Sequence, residues 1–115
     1  MMLDIVSSEG RAMLLQAWGR IDFFNSDVFE VQARRALAGA DRDVIIDASN
    51  VTYLSTPGLR VLLHLWQDLK KNDLTLHICA LRPYIQQVFE IIGFNQIIPN
   101  HADVAAALAA VESRS

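Results

Sequence analysis

One cysteine in 115 residues, Cys79, excludes an internal disulfide and leaves a thiolate metal site without a second sulfur. It lies in the apolar run Leu76-His77-Ile78-Cys79-Ala80-Leu81, where a buried, inert thiol is expected. The five glycines stand apart from one another, so neither a GxGxxG turn nor a P-loop can be written. Ten lysines and arginines are scattered among thirteen acidic residues, for a net charge of −3, which lacks the basic stripe of a nucleic-acid binder. No apolar run approaches the length that spans a bilayer. The N-terminus carries Asp4 and lacks both a basic n-region and an uninterrupted apolar h-region, so a cytoplasmic protein without membrane insertion is expected.

Catalytic constellations are missing too. His64, His77 and His101 share no motif, no HExxH or metal-spaced Cys/His set exists, and no GxSxG surrounds Ser55 and Thr56. The expectation is a chain that is not an enzyme and holds no metal or cofactor. A ligand-sensing domain with a cleft beside the second helix is a weaker reading, because no phosphate-binding motif supports it.

What is present is a core. A composition that is 52% hydrophobic and 20% charged suits a globular protein, and the length suits a single domain over residues 1–115. Met2 to Ser7 and Ala12 to Trp18 read as two strands around a turn at Glu9-Gly10, forming a hairpin at one side of a sheet. Asn25 or Ser26 can cap a first helix, with Asp27 and Glu30 in its positive first turn. Phe29, Ala33, Ala36 and Leu37 then share one face before Gly39.

Val44-Ile45-Ile46-Asp47 is β-branched, too short for a helix and continuously apolar, which predicts a central strand covered on both faces. From Pro57 the period becomes helical: Leu59, Leu62, Leu63, Trp66 and Leu69 form a stripe, with Arg60, His64, Gln67 and Lys71 opposite, ending near Lys71-Asn72-Asp73. Val61 and Leu65 lie outside that stripe. They either complete a wide buried face under a neighbouring helix or form an apolar docking patch bordered by Arg60 and His64.

Leu74 to Ala80 reads as a strand. Arg82-Pro83 opens a third helix, with Ile85, Val88, Phe89 and Ile92 inward and Gly93 as its stop. Gln96 to Pro99 reads as a short strand or an extended piece. Asn100 to Asp103 carries cap residues, and Val104, Leu108 and Val111 mark an alanine-rich final helix that frays from Ser113 to Ser115. Trp18 and Trp66 are assigned to the core, while Asp22 and Asp47 end strands or cap turns. The order asks for an α/β fold: a mixed four- to five-stranded sheet covered by about four helices.

The most informative stretch is Tyr53-Leu54-Ser55-Thr56-Pro57-Gly58-Leu59-Arg60-Val61, where two hydroxyls sit between an apolar run and a helix start. Unpaired N–H groups and the positive dipole end favour a hydroxyl, carboxylate or phosphate there. Thr56 as N-cap and Pro57 at the first helical position would be plain capping chemistry. Capping is the readier reading of the residues alone, and the same hydroxyls could also serve as a switch.

From Asp47 through Leu59, followed by Val61-Leu62-Leu63, the chain resembles the STAS family, the sulfate-transporter and anti-sigma-factor-antagonist domain. Gly19-Arg20-Ile21-Asp22 is similar to the family's step before its first helix, and Ile91-Ile92-Gly93-Phe94 with Ile97-Ile98-Pro99 is similar to its late glycine turn. The resemblance implies a stand-alone anti-sigma factor antagonist. In that type a serine kinase that is also the anti-sigma factor phosphorylates a hydroxyl, and a phosphatase reverses it. Position by position, Ser55 stands where the family has Asp, Thr56 where it has the phosphoacceptor, and Pro57 where it has a small residue; Gly58 and Leu59 match.

The resemblance therefore implies Thr56 as the phosphorylation site, with Ser55 as runner-up. The partner surface would comprise Asp22, Ser55, Thr56, Pro57, Gly58, Arg60, Val61 and His64. An alternative within the family is a STAS subunit that docks constitutively onto a membrane transporter or its ATPase, with Thr56 as an unmodified contact.

Overall fold

The computed structural model describes residues 2–7 and 10–113. Glu9 of the expected first turn and positions 114–115 of the expected fraying lie outside the described residues, while Ser113 is still helical. The elements are β1 (Leu3–Ser7), β2 (Ala12–Ile21), α1 (Ser26–Leu37), β3 (Asp43–Leu54), α2 (Thr56–Lys70), β4 (Leu76–Cys79), α3 (Pro83–Ile92), β5 (Asn100–His101) and α4 (Val104–Ser113). The strands form one five-stranded sheet in the order β1-β2-β3-β4-β5, with β1 antiparallel to β2 and every other pair parallel.

The apolar run of β3 is central, as its continuous hydrophobicity requires. Val44 and Ile46 face one core with Phe29 of α1, Leu62 of α2 and Phe89 of α3. Ile45 faces the other, with Cys79, Ala107 and Val111. Alternating side chains of one strand thus serve two layers, three helices on one face and α4 on the second. Cys79 is buried, and burial, with the Asp47 and Asp103 carboxylates as smaller contributors, pushes its thiol up to about 12, which keeps it protonated and inert.

Several elements differ from the reading of local pattern. β2 and β3 are longer, running on to Ile21 and Leu54, and their parallel pairing is interrupted by register shifts between Gln16 and Trp18 and between Gly19 and Arg20. Those irregularities hide the second half of β3 from a periodicity argument, since Ser49 and Asn50 are both exposed. The fifth strand is Asn100–His101, not Gln96–Pro99. Gly93 adopts φ 82° and turns the chain into a 3-10 turn over Phe94–Gln96, which lets Ile98 drop into the core before pairing begins.

The buried helix faces are also narrower or rotated. In α2, Val61 and Leu65 are fully buried alongside Leu59, Leu62 and Leu69, while Leu63 and Trp66 are only half-buried. α1 packs against α2 from that side, so the covered stripe shifts toward it. Ile92 and Leu108 are exposed; α4 buries Val111, which its pattern included, and Ala107 in place of Leu108. Trp66 packs at the margin of the larger core, but Trp18 is half-buried outside both clusters.

Candidate functional site

At the carboxyl ends of β2 and β3 two loops are tied together. The Ser55 backbone N–H donates to the Ile21 carbonyl at 2.8 Å, joining the β3–α2 turn to the end of β2. On the β2 side, one Asp22 carboxylate oxygen accepts from the N–H groups of Phe24 and Asn25 at 2.9 and 3.1 Å. The Asn25 side chain accepts from the Asp22 N–H and donates to the Arg20 carbonyl, each at 2.8 Å. Asn25 occupies the N-cap position of α1, yet its side chain is spent on the loop rather than on the helix. One oxygen of Asp22, committed to two amides, thus shapes the loop.

The α2 start corrects the expected cap. Ser55 is the N-cap, with extended backbone, and its Oγ accepts from the Gly58 N–H at 3.2 Å. Thr56 and Pro57 are the first two helical residues, where proline's missing N–H costs nothing. Ser55 is buried at 8% exposure, so its hydroxyl is enclosed and engaged, whereas Thr56 is exposed. Of the two alcohols, only that of Thr56 faces outward at the positive end of a 15-residue helix.

Gly58 and Val61, also expected on the partner surface, are buried. A Cβ on Gly58 would lie 2.8 Å from Leu54 Cδ1 and 2.9 Å from Ile21 Cγ2, which is why the helix start can sit so close to both strand ends only with glycine there. Ser55→Ala is expected to cost about 1 kcal/mol in a denaturant titration, the usual worth of an N-cap hydroxyl, while Thr56→Ala should change stability by less than about 0.5 kcal/mol. The reverse order would return the cap to Thr56.

Beside Thr56 runs a groove of about 160 Å³ between α1 and α2. Asp27 and Glu30 line one wall, Arg60 and His64 the other, and Val61 and Pro57 contribute beneath. Val61 thus belongs to the wide buried face and still reaches the groove. Further along, Arg34 of α1 bonds both Glu30, at 2.9 Å, and Asp68 of α2. His64 Nδ1 lies 3.9 Å from Glu30. The hydrogen bond from Arg34 holds the Asp68 carboxyl below its ordinary value, and the same bond raises Arg34. Both groups are partly solvated, so these pairs add little stability.

Two features escaped the reading of the sequence. Phe23 and Phe24, edge to face at 5.7 Å between ring centroids, are 73% and 88% exposed in the loop next to the turn. Adjacent aromatics immediately before a cap, outside any helical or strand period, were the available signal. The second is a contact between His77 and His101, 24 positions apart, for which no local pattern exists. Among the described residues no group of three or more His, Cys, Asp or Glu could hold a metal ion, and no helix is long and apolar enough to cross a membrane.

Residues 5–107 match the family model of the STAS domain. The chain belongs to the STAS domain family. Among STAS relatives, BtrV of Bordetella bronchiseptica, described as an anti-sigma factor antagonist, is 33% identical over 91 residues, covering 77% of this chain and 78% of that protein. Among solved STAS structures, an anti-sigma-factor antagonist domain protein from Planctomyces limnophilus superposes with a TM-score of 0.83 at 18% identity, over 96% of this chain and 97% of the other. The Bacillus cell fate determinant SpoIIAA, solved in its phosphorylated form, gives a TM-score of 0.69 at 14% identity, over 95% and 98% of the two chains. The α/β class, the mixed sheet and the four helices expected from the sequence are those of the STAS fold.

Proposed function

We propose that this STAS domain is an anti-sigma factor antagonist that changes partners when Thr56 is phosphorylated. The observation that carries the reading is the division of labour at the turn: Ser55 is enclosed and caps α2, leaving Thr56 exposed as the first residue of the helix. The antagonist relative BtrV and the phosphorylated form of SpoIIAA support it.

Phosphate would add about −1.5 to −2 charges and three strong acceptor oxygens. At this exposed helix start they meet the positive dipole end, so the domain can carry the group without unfolding. A partner seated over the turn would have to desolvate that dianion against its own surface, at a cost of roughly several kcal/mol unless a basic side chain pairs with it. The partners implied are a serine kinase that is also the anti-sigma factor, and a phosphatase that restores binding.

The family's Asp at position 55 is replaced by Ser, and capping explains why the exchange is tolerated. Either side chain offers an oxygen to the Gly58 N–H, so the turn keeps its shape and loses one negative charge. Incubation with the cognate kinase and ATP, followed by site mapping, tests the proposal, and phosphate is expected on Thr56 alone. Phosphate on Ser55 would require the helix start to open. Modification of neither hydroxyl would favour constitutive docking on a transporter or its ATPase.

A further inference from the structure

On the sheet face covered by α4, well away from the hydroxyl turn, two histidines and an aspartate cross three strands. His77 of β4 is 2% exposed. Its Nδ1 lies 3.0 Å from Nε2 of His101 on β5, and the rings are stacked at 5.2 Å with 28° between their planes. On its other side, His77 Nε2 lies 3.8 Å from Asp43 Oδ2 of β3, whose partner oxygen accepts from the Thr75 N–H at 2.9 Å.

A hydrogen bond between two imidazole nitrogens needs one of them protonated and the other bare. β5 is only two residues long, and its neighbours' N–H groups reach it at Pro99 (Ile78 N–H, 2.9 Å) and His101 (Ala80 N–H, 3.0 Å). The ring contact adds to what holds this edge, beside the buried Ile98, the bond from the Gln86 side-chain amide to Asn100 Oδ1 at 3.3 Å, and the packing of Ala107 and Val111 of α4 on Ile45 and Cys79. Solvent protons have a route in, because His101 lines an open cavity of about 510 Å³ with Leu81, Pro83, Gln86 and Asn100.

We propose that the His77–His101 pair is an acid-operated latch: it holds β5 and α4 to the sheet while a single proton lies between the facing nitrogens, and releases them when both nitrogens are protonated. Two imidazolium rings at this separation would repel in a half-buried setting. The ionisable groups on the elements packed against the pair are Asp43, Asp47 and Tyr53 on β3, Cys79 on β4, Asp103 before α4 and Glu112 on it. β3, β4, β5 and α4 carry no lysine or arginine, so the surroundings are acidic and the repulsion is between the rings themselves. Asp43 can balance one positive charge on His77.

Burial lowers the pKa of His101, which fixes the sign. The unfolded chain takes up the proton first, so this contribution to stability is complete above the ordinary histidine value of about 6.5 and is lost as pH falls below it, down to the lowered value.

The test is amide hydrogen exchange on the full chain between pH 7.5 and 4.5, corrected for intrinsic rates, with the ring nitrogens followed by NMR. Protection of Ile78 and Ala80 is expected to fall at least tenfold more than that of Leu15 and Ile46, over the range in which both facing nitrogens become protonated. In His101→Gln the side-chain amide can still donate to His77 but cannot titrate, and the difference should shrink to within about twofold. An equal acid response in His101→Gln would overturn the latch. So would wild-type rings that become doubly protonated with Ile78 and Ala80 still fully protected, a result that needs no variant.

Discussion

Phosphate on Thr56 is expected to weaken binding to a kinase-type anti-sigma factor by more than a hundredfold, measured by titration calorimetry with the purified partner. A hundredfold loss corresponds to about 3 kcal/mol, which is modest beside the roughly several kcal/mol that burying a dianion against a protein surface costs. The penalty falls on the complex rather than on the free domain, because Thr56 is exposed and stands at the positive end of its helix dipole. Thr56→Glu, with one charge and a planar head, should reproduce the direction with a smaller effect, about tenfold or more. Its thermal stability should match that of the unmodified protein. A Thr56→Glu variant that bound the partner with unchanged affinity would falsify the switch, and one that unfolded would show that the helix start does not accommodate an anion.

Phe29→Ala should lower stability by about 3–5 kcal/mol, the usual cost of removing a large aromatic ring from a close-packed interior. Phe29 is 1% exposed, in the core shared by α1, the sheet and α2, with Ala17, Ile21, Ile46 and Leu62 around one small gap. For a domain of this size such a loss lowers the melting temperature by on the order of 15 °C, readable by circular dichroism. Phe24→Ala is the control: at 88% exposure its removal should leave stability within about 0.5 kcal/mol. Phe29 also anchors the helix that carries Asp27 and Glu30, so its loss should loosen the groove wall beside Thr56. A change below about 1 kcal/mol would show that α1 is not held by this ring.

Much of this architecture can be read from local pattern because helices and strands have fixed periods. Leu59, Leu62 and Leu69 recur at helical spacing, Val44 to Ile46 is too apolar for an exposed strand, and Gly39 and Gly93 stop helices as glycine does at positive φ. The site turn is legible for the same reason: a hydroxyl pair followed by Pro57 and Gly58 is chemistry that suits a helix start. What failed depended on neighbours. Leu63 and Trp66 fit the α2 stripe as well as Val61 and Leu65 do, and only the side on which α1 packs makes the latter pair the buried one. Ile92 and Leu108 continue their helical patterns correctly, but no layer covers them.

From its sequence alone the chain is an α/β domain with a hydroxyl-bearing turn between its central strand and second helix, because backbone geometry turns residue spacing directly into faces and caps. Which alcohol looks outward, Thr56 rather than Ser55, was decided by the tertiary fold. A one-residue difference in where α2 begins, set by the tie from Ser55 to Ile21 and the room left at Gly58, encloses one and exposes the other. The meeting of His77 with His101 belongs to the same category: parallel strands align residues distant along the chain, and no local period carries that information.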